Sequence, residues 1–339
     1  MADHKQHKYN NPVSATITGI MDLFKKQIPS GELKSTDRLD GKTVLVDGSS
    51  SGLGFAIAVD VAKRGAKVIM ACRTGIPDKG EEVKKLSGNN DIHMLHVDFA
   101  DINSIKNLVI NIKDQFKPID ILICNAGVVP KKSRKTPQGL EEMFMVNYLS
   151  KFIFVNLLLE APTPSFPSPD RGRGEGKGLR RILFISSESH RNPVAFDWDS
   201  FGIYRDYSIG KSIELYGYYK LLLTTFAVEL SRRLNNSESA ISVFAMCPGP
   251  VNSNIGREAP KFLQPLLKLV FSIFFRSPAK AAVPAVYLAA SNDEEGKPFD
   301  YFFLMTRKEV SGLASDIENG KRLWELSARI FPIPITVVL

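Results

Sequence analysis

From Lys42 onward, short apolar runs alternate with longer stretches whose apolar positions recur at helical spacing. Thr43 to Val46, Lys67 to Ala71, Ile92 to Val97, Ile119 to Cys124, Arg181 to Ile185 and Ala240 to Cys247 read as strands, with Tyr301 to Leu304 as a further one. These runs are short, largely apolar and bounded by polar or turn residues, as expected of strands covered on both faces. Helices are predicted from about Leu53 to Arg64, from about Ile102 to Phe116, over residues 139 to 160, and onward from Tyr216. Strand–helix alternation of this kind predicts an α/β fold. The expected form is a doubly wound, Rossmann-like parallel sheet in a three-layer α/β/α sandwich, with right-handed crossovers. A single domain over residues 41–335 accommodates it.

Two segments break the pattern. Residues 1–40 read as an N-terminal extension. Ile17, Ile20, Met21, Phe24 and Ile28 have helical spacing, and Pro29-Ser30-Gly31 ends it. Residues 161–180 carry Pro162, Pro164, Pro167 and Pro169, then Gly172, Gly174, Gly176 and Gly178, with arginines between. Such a composition buries no core and predicts a disordered surface insertion.

The chain of 339 residues is 44% hydrophobic and 24% charged, ordinary for a globular protein, with a formal net charge of +8. The lysines and arginines are scattered and form no long basic helix, which argues against nucleic acid as a partner. An anionic nucleotide suffices to engage part of the charge. Cys72, Cys124 and Cys247 each end a strand run. Their odd number and spacing fit no metal site and imply free thiols in a reducing compartment. The first eleven residues lack an apolar signal core, and no run reaches the roughly 18 apolar residues of a spanning helix. A cytoplasmic protein is expected, with membrane-surface contact open to the N-terminal extension.

Chemistry concentrates in two places. Gly48-Ser49-Ser50-Ser51-Gly52-Leu53-Gly54 lies between the first strand and the first helix. Gly48 permits a tight turn, Gly52 a close approach of backbone to a pyrophosphate, and Gly54 close packing of the helix on the sheet. The amides of Ser50, Ser51 and Leu53 lie in the same anion-binding turn. The second strand ends at Ala71-Cys72-Arg73, without the acid that binds ribose hydroxyls in NAD-preferring folds. Arg73 is suited to a 2′-phosphate, so NADP is expected and NAD less so. The second place is Tyr216-x-x-x-Lys220. One helical turn puts phenol and ammonium on one face, and a neighbouring cation favours the ionised phenol. Tyr207 and Lys211 have the same spacing. Tyr216 is preferred because Leu223, Phe226, Ala227 and Leu230 continue an apolar helical stripe behind it.

In order, the glycine turn, Asp98, Asn125-Ala126-Gly127, Asn147, Ser187, Tyr216, Lys220 and Pro248-Gly249 resemble the short-chain dehydrogenase/reductase family over roughly residues 40–330. Ala71-Cys72-Arg73, the spacing from Tyr216 and Lys220 to Glu229-Leu230, and Glu318-Asn319-Gly320-Lys321-Arg322-Leu323-Trp324 are similar to its retinol-dehydrogenase-like branch. The resemblance implies that Tyr216 is the general acid/base and that Lys220 lowers its pKa and holds the nicotinamide ribose. It implies that Ser187 hydrogen-bonds the substrate oxygen and that Asn147 holds a relay water. Asn125, Ala126 and Gly127 would line the cofactor pocket, and Asp98 would meet the adenine end. Pro248, Gly249, Val251 and Ser253 would border the nicotinamide. Structural readings stand beside these roles: Asn147 as a helix brace, Asp98 and Asn125–Gly127 as turn residues, and Ser253 as a loop cap. Ser186 and Ser189 flank Ser187 closely enough for the serine assignment to slip.

Asp47 departs from the family's usual threonine before the first glycine. Unshielded, its charge would weaken pyrophosphate binding, and Asp47→Thr would then tighten it. Residues 261–276, Lys-Phe-Leu-Gln-Pro-Leu-Leu-Lys-Leu-Val-Phe-Ser-Ile-Phe-Phe-Arg, fall where the family covers its substrate. Their apolar, aromatic character suggests a lipophilic carbonyl or alcohol, with a core helix or a membrane-surface segment as the other readings. The expected activity is NADP-dependent interconversion of an alcohol and a carbonyl by hydride transfer. Reduction of an activated carbon–carbon double bond, or a non-catalytic NADP-binding scaffold, are the alternatives. Family members often pair through the helices at about 101–116 and 139–160 here, so a homodimer or homotetramer is allowed.

Overall fold

Eight strands form one sheet in the computed structural model, which describes residues 28–116, 118–159, 179–235, 241–251 and 276–332. They are β1 (Thr43–Asp47), β2 (Lys67–Cys72), β3 (Ile92–His96), β4 (Ile121–Cys124), β5 (Arg181–Ile185), β6 (Ser242–Cys247), β7 (Asp300–Phe303) and β8 (Thr306–Lys308). The order is β3-β2-β1-β4-β5-β6-β7-β8, parallel throughout except for the β7–β8 hairpin. The strands are apolar on both faces because both faces are covered. Leu45, Ile69, Leu122, Ile182 and Val243 point to one core, while Val44, Val46, Val68, Met70 and Ile123 point to the other.

The first core is closed by α3 (Ile102–Gln115), α4 (Glu142–Leu159), α5 (Ile209–Asn235) and α7 (Ile317–Ile330). The second is closed by α1 (Gly52–Lys63), α2 (Asp78–Ser87) and α6 (Pro278–Ala290). The doubly wound sandwich expected from the sequence is therefore present. Some elements escape the periodicity. Helix α2 is mostly polar and buries only Gly80 and Val83. Helix α6 contains Pro284, which reads as a breaker, and β8 is Thr-Arg-Lys, with no apolar position. β1 also runs one residue further than predicted, to Asp47, which pairs in register with Ala71.

Helix α4 corrects the expectation that no run is apolar enough to span a membrane. Glu142–Leu159 reaches a mean hydropathy of 1.3, yet 83% of it is buried within the protein. It is a core helix, and Met145–Leu149 within it is a π turn. Helix α7 closes over it: the Trp324 ring meets Phe152 at 5.2 Å and Phe226 at 5.9 Å, and Tyr148 Oη lies 2.5 Å from Ser327 Oγ. The described part of the N-terminal segment, from Ile28, joins the sheet edge through Ser30 N–H to Met305 O at 2.7 Å, and Leu39 is buried in the second core. The helical pattern at residues 17–27 and most of the Pro/Gly/Arg insertion lie outside the described residues.

Trp324→Ala removes a buried aromatic from the seam between α4, α5 and α7. The expected loss of stability is about 3–5 kcal/mol, read from urea unfolding.

Candidate active site

The strand order reverses between β1 and β4, and a doubly wound sheet opens its crevice at that point, beyond the strands' carboxyl ends. The glycine turn sits there. Gly48 and Gly52 have φ of 60° and 59°, a region that favours glycine. A Cβ on Gly48 would lie 2.7 Å from Ala126 Cα, and one on Gly54 would lie 2.6 Å from Gly48 O and strike the Asn125 amide. Gly52 faces open space. Ser49 is buried and bonds Val46 O at 2.8 Å, leaving Ser50, Ser51 and the first amides of α1 on the crevice side. This cradle, with the N-terminus of a twelve-residue helix behind it, fits a dinucleotide pyrophosphate.

The strand-end turns lock together. Asn125 Nδ2 donates to Asp47 O and Gly48 O, both at 3.1 Å. Asp47 itself points inward, away from the phosphate turn. Its Oδ1 accepts the backbone N–H of Asn125 at 2.6 Å and that of Ala126, and its Oδ2 lies 3.0 Å from Lys151 Nζ. Both side chains are almost wholly buried. The expected repulsion of a pyrophosphate required an unshielded carboxylate, and Lys151 shields it. The tightening expected of Asp47→Thr therefore loses its basis, since that change would strand a buried ammonium.

At the adenine end, Arg73 is 58% exposed and its guanidinium lies 3.8 Å from Asp98 Oδ2, so the structure brings these two together. Asp98 also has the turn role considered above, since its Oδ1 accepts from Ala100 N–H at 2.9 Å. Pro248 and Gly249 follow β6, with Gly249 at φ 73°, and Val251 bridges to Arg276. Ser253 and residues 261–275 lie outside the described residues.

Beside the glycine turn stand Ser187, Tyr216 and Lys220. Ser187 follows β5, and its Oγ accepts from Ser189 N–H at 3.2 Å and Ser189 Oγ at 2.9 Å. With both acceptor directions occupied, the Ser187 hydroxyl is left to donate, and it favours the ionised form of the Tyr216 phenol. Ser186 is instead buried, with its hydroxyl 2.7 Å from Thr224 Oγ1. Tyr207 bonds Glu141 at 2.7 Å and Lys211 bonds Glu214 at 2.6 Å, so that rival pair is not assembled. Helix α5 begins earlier than predicted, at Ile209, so Tyr216 lies two turns inside it.

Lys220 Nζ donates to Ile185 O at 2.7 Å and lies 5.6 Å from the Tyr216 ring centroid. Burial pushes the Tyr216 hydroxyl up, the Cys247 thiol adds to this, and the Ser187 hydroxyl acts the other way. Burial lowers Lys220 to about 8, with Lys151 acting in the same direction. Asn147 is buried in the π turn of α4. Its Oδ1 accepts from Val128 N–H at 2.7 Å, and its Nδ2 donates to Val128 O at 2.9 Å. These bonds reach outside its own helix and hold the turn containing Gly127, where a Cβ would lie 3.2 Å from Asn147 Oδ1 and 3.8 Å from Lys220 Nζ.

Three contributors were missed in the sequence. Lys151 is a lone charge in the apolar run Ser150–Leu159, a signal in itself, since an unpaired lysine is almost never buried. Gly217 follows the tyrosine, and a Cβ there would lie 2.9 Å from Ser189 O. Glycine thus lets α5 approach the Ser187 turn. His190 is buried, with Nδ1 2.7 Å from Ser187 O and Nε2 accepting from Ser311 N–H at 3.2 Å. Those partners assign the proton to Nδ1. Beside it, Glu188 accepts from Tyr301 Oη at 2.8 Å and pairs with Lys308 at 2.9 Å.

A family profile described as short chain dehydrogenase matches residues 42–197. The chain is 32% identical to retinol dehydrogenase 13 of Homo sapiens, covering 95% of each chain. It is 31% identical to retinol dehydrogenase 14 of Homo sapiens, covering 85% of this chain and 86% of that one. A crystal structure of an uncharacterized protein from Mycobacterium paratuberculosis, 27% identical, superposes with a TM-score of 0.63 over 86% of this chain and 94% of that chain.

His190 generates a stability prediction. Burial, reinforced by Arg191, lowers it from 6.5 to about 4, so the fold holds it neutral. As pH falls from 6.5 towards 4 the unfolded chain takes up this proton first, so stability present above 6.5 is lost across that window. Unfolding midpoints of wild type should fall through this range, and His190→Gln should flatten the slope. Equal slopes would remove His190 from the account.

Proposed function

The chain belongs to the short-chain dehydrogenase/reductase family, and on that premise we propose that it reduces a lipophilic aldehyde or ketone with NADPH. As a family member it is an NAD(P)-dependent oxidoreductase that interconverts CH–OH and C=O groups on a small molecule. The observation carrying the finer reading is the buried Lys220 one helical turn from Tyr216, its ammonium 5.6 Å from the phenol ring, together with the glycine cradle.

A reduced nicotinamide in the crevice would supply the hydride. Tyr216 then gives its proton to the carbonyl oxygen as charge develops there, and Ser187 donates a hydrogen bond to the same oxygen. Burial keeps the phenol protonated at neutral pH, the form that donates. Lys220 keeps further N–H groups beyond the one on Ile185 O, and these suit the ribose hydroxyls. Asn147 braces the Gly127–Val128 turn and retains one Oδ1 lone pair for a relay water. Gly48, Ser50, Ser51, Gly52, Leu53 and Gly54 would hold the pyrophosphate, with Asn125, Ala126, Gly127, Pro248, Gly249, Val251 and Ser253 around the nicotinamide half.

NADP rather than NAD is supported by an exposed Arg73 at the end of β2, where no acid stands to bind the ribose. A lipophilic substrate is supported by the apolar run at 261–276 and by the name the relatives bear, retinol dehydrogenase. Three buried, unpaired cysteines support a reducing cytoplasm, and the apolar stretches at 17–28 and 261–276 support contact with a membrane surface. The scaffold alternative draws on Asp47 and on the insertion at 161–180; of these, the Asp47 charge is paired with Lys151.

NADPH oxidation over a panel of lipophilic aldehydes and ketones tests the reading. Tyr216→Phe should lower kcat/KM by about 10²–10⁴-fold while NADPH still binds. An active Phe variant would end this assignment. Arg73→Ala should weaken NADPH binding by about ten- to a hundredfold and leave NADH almost unchanged. Equal losses for the two cofactors would argue against a 2′-phosphate contact.

A further inference from the structure

The turn that carries Ser187 is held by a buried histidine whose two ring nitrogens face different parts of the chain. His190 lies three residues after Ser187, in the 3₁₀ turn Glu188–Arg191. Ser187 O accepts from it twice, from the backbone N–H at 3.1 Å and from ring Nδ1 at 2.7 Å. Its Nε2 accepts the Ser311 N–H at 3.2 Å, so a single ring joins the Ser187 turn to the segment after β8. The Tyr301 ring of β7 packs on it, with centroids 5.0 Å apart. Glu188, the next residue after Ser187, is anchored on the same hairpin, accepting from Tyr301 Oη at 2.8 Å and Lys308 Nζ at 2.9 Å. The peptide between Ser187 and Glu188 is therefore gripped from both of its residues. Ser189 N–H and Ser189 Oγ then fill the acceptor side of Ser187 Oγ and set the direction in which its proton points.

We propose that His190 is a positioning residue for the reaction at Ser187: its Nδ1–H holds the Ser187 carbonyl and, through it, the angle at which the Ser187 hydroxyl meets the substrate oxygen. This rests on the role given to Ser187 above. Without Nδ1, Ser187 O keeps only the longer backbone bond of the turn. A hydrogen bond to a developing oxyanion acts over a narrow range of distance, and a misplacement of about 1 Å costs on the order of a hundredfold. The contact of Nε2 with Ser311 has a different consequence, since it attaches the segment after β8 and touches nothing in the crevice. The two nitrogens thus divide the work. Nδ1 serves the chemistry, and Nε2 serves the fold.

Two amide side chains separate these roles. His190→Asn places an N–H₂ where the ring has Nδ1, so it keeps a donor for Ser187 O and loses the acceptor of Ser311 N–H. His190→Gln reaches the position of Nε2, so it keeps that acceptor and loses the donor to Ser187 O. Each gives up one buried hydrogen bond, and both should unfold at lower urea than wild type by similar amounts. With NADPH and a lipophilic aldehyde that the wild type reduces, kcat should fall about tenfold or more in His190→Gln and stay within about threefold of wild type in His190→Asn. Titrated NADPH binding should be unchanged in both. In a Ser187→Ala background His190→Gln should cost no further kcat, because the group it positions is gone. A kcat that falls equally in both variants, a kcat untouched in His190→Gln, or a full further loss in the Ser187→Ala background would each overturn the proposal. Should His190→Gln fail to fold, His190→Asn still decides: kcat kept sustains the proposal, and kcat lost despite the retained donor overturns it. If instead Ser187→Ala or Tyr216→Phe remains fully active, the reading of the site fails first, and the two failures are told apart.

Discussion

Two backbone amides at the carboxyl end of β4 face the protein interior, and a buried amide without an acceptor is costly. One oxygen of Asp47 accepts both. That carboxylate is itself out of water, so it needs a cation, and Lys151 supplies one from α4. The chain of requirement runs from strand end to turn to helix. It ties β1, β4 and α4 together at the point where the sheet reverses order, beneath the place where a nucleotide would lie.

The chemistry on the other side of the crevice is set by close approach. Gly217 lets α5 come against the Ser187 turn, which orients Tyr216 towards Ser187. The turn is in turn held from behind by His190, which bridges Ser187 O and Ser311 N–H, and by Glu188 against Tyr301 and Lys308. Residues far apart in the chain thereby fix one hydroxyl. Burial at this point keeps the phenol protonated and makes the lysine beside it a weaker base. Desolvation, rather than mutual attraction of phenolate and ammonium, dominates both groups.

Helix α4 shows how composition alone misleads. Its apolar length matches a membrane span, yet it lies under α7, with Trp324 between Phe152 and Phe226. A helix apolar all round is consistent with either a membrane or a core, and the neighbouring helices decide between them.

Local pattern was enough for the strands, the main helices, the glycine turn and the Tyr216–Lys220 step, because those depend on period and spacing within a few residues. Polar α2, proline-containing α6 and the Thr-Arg-Lys strand β8 left no such trace, since contacts with the rest of the fold stabilise them. The sequence showed that Asp47 was unusual, but its consequence was misjudged. A charge acquires its meaning from its partner, and Lys151 lies far along the chain, reached only once α4 packs on the sheet. The Tyr216 phenol shows the same dependence, since burial pushes its pKa up. Spacing identifies which charges are neighbours along a helix, whereas the loss of water around them is decided by everything that folds on top.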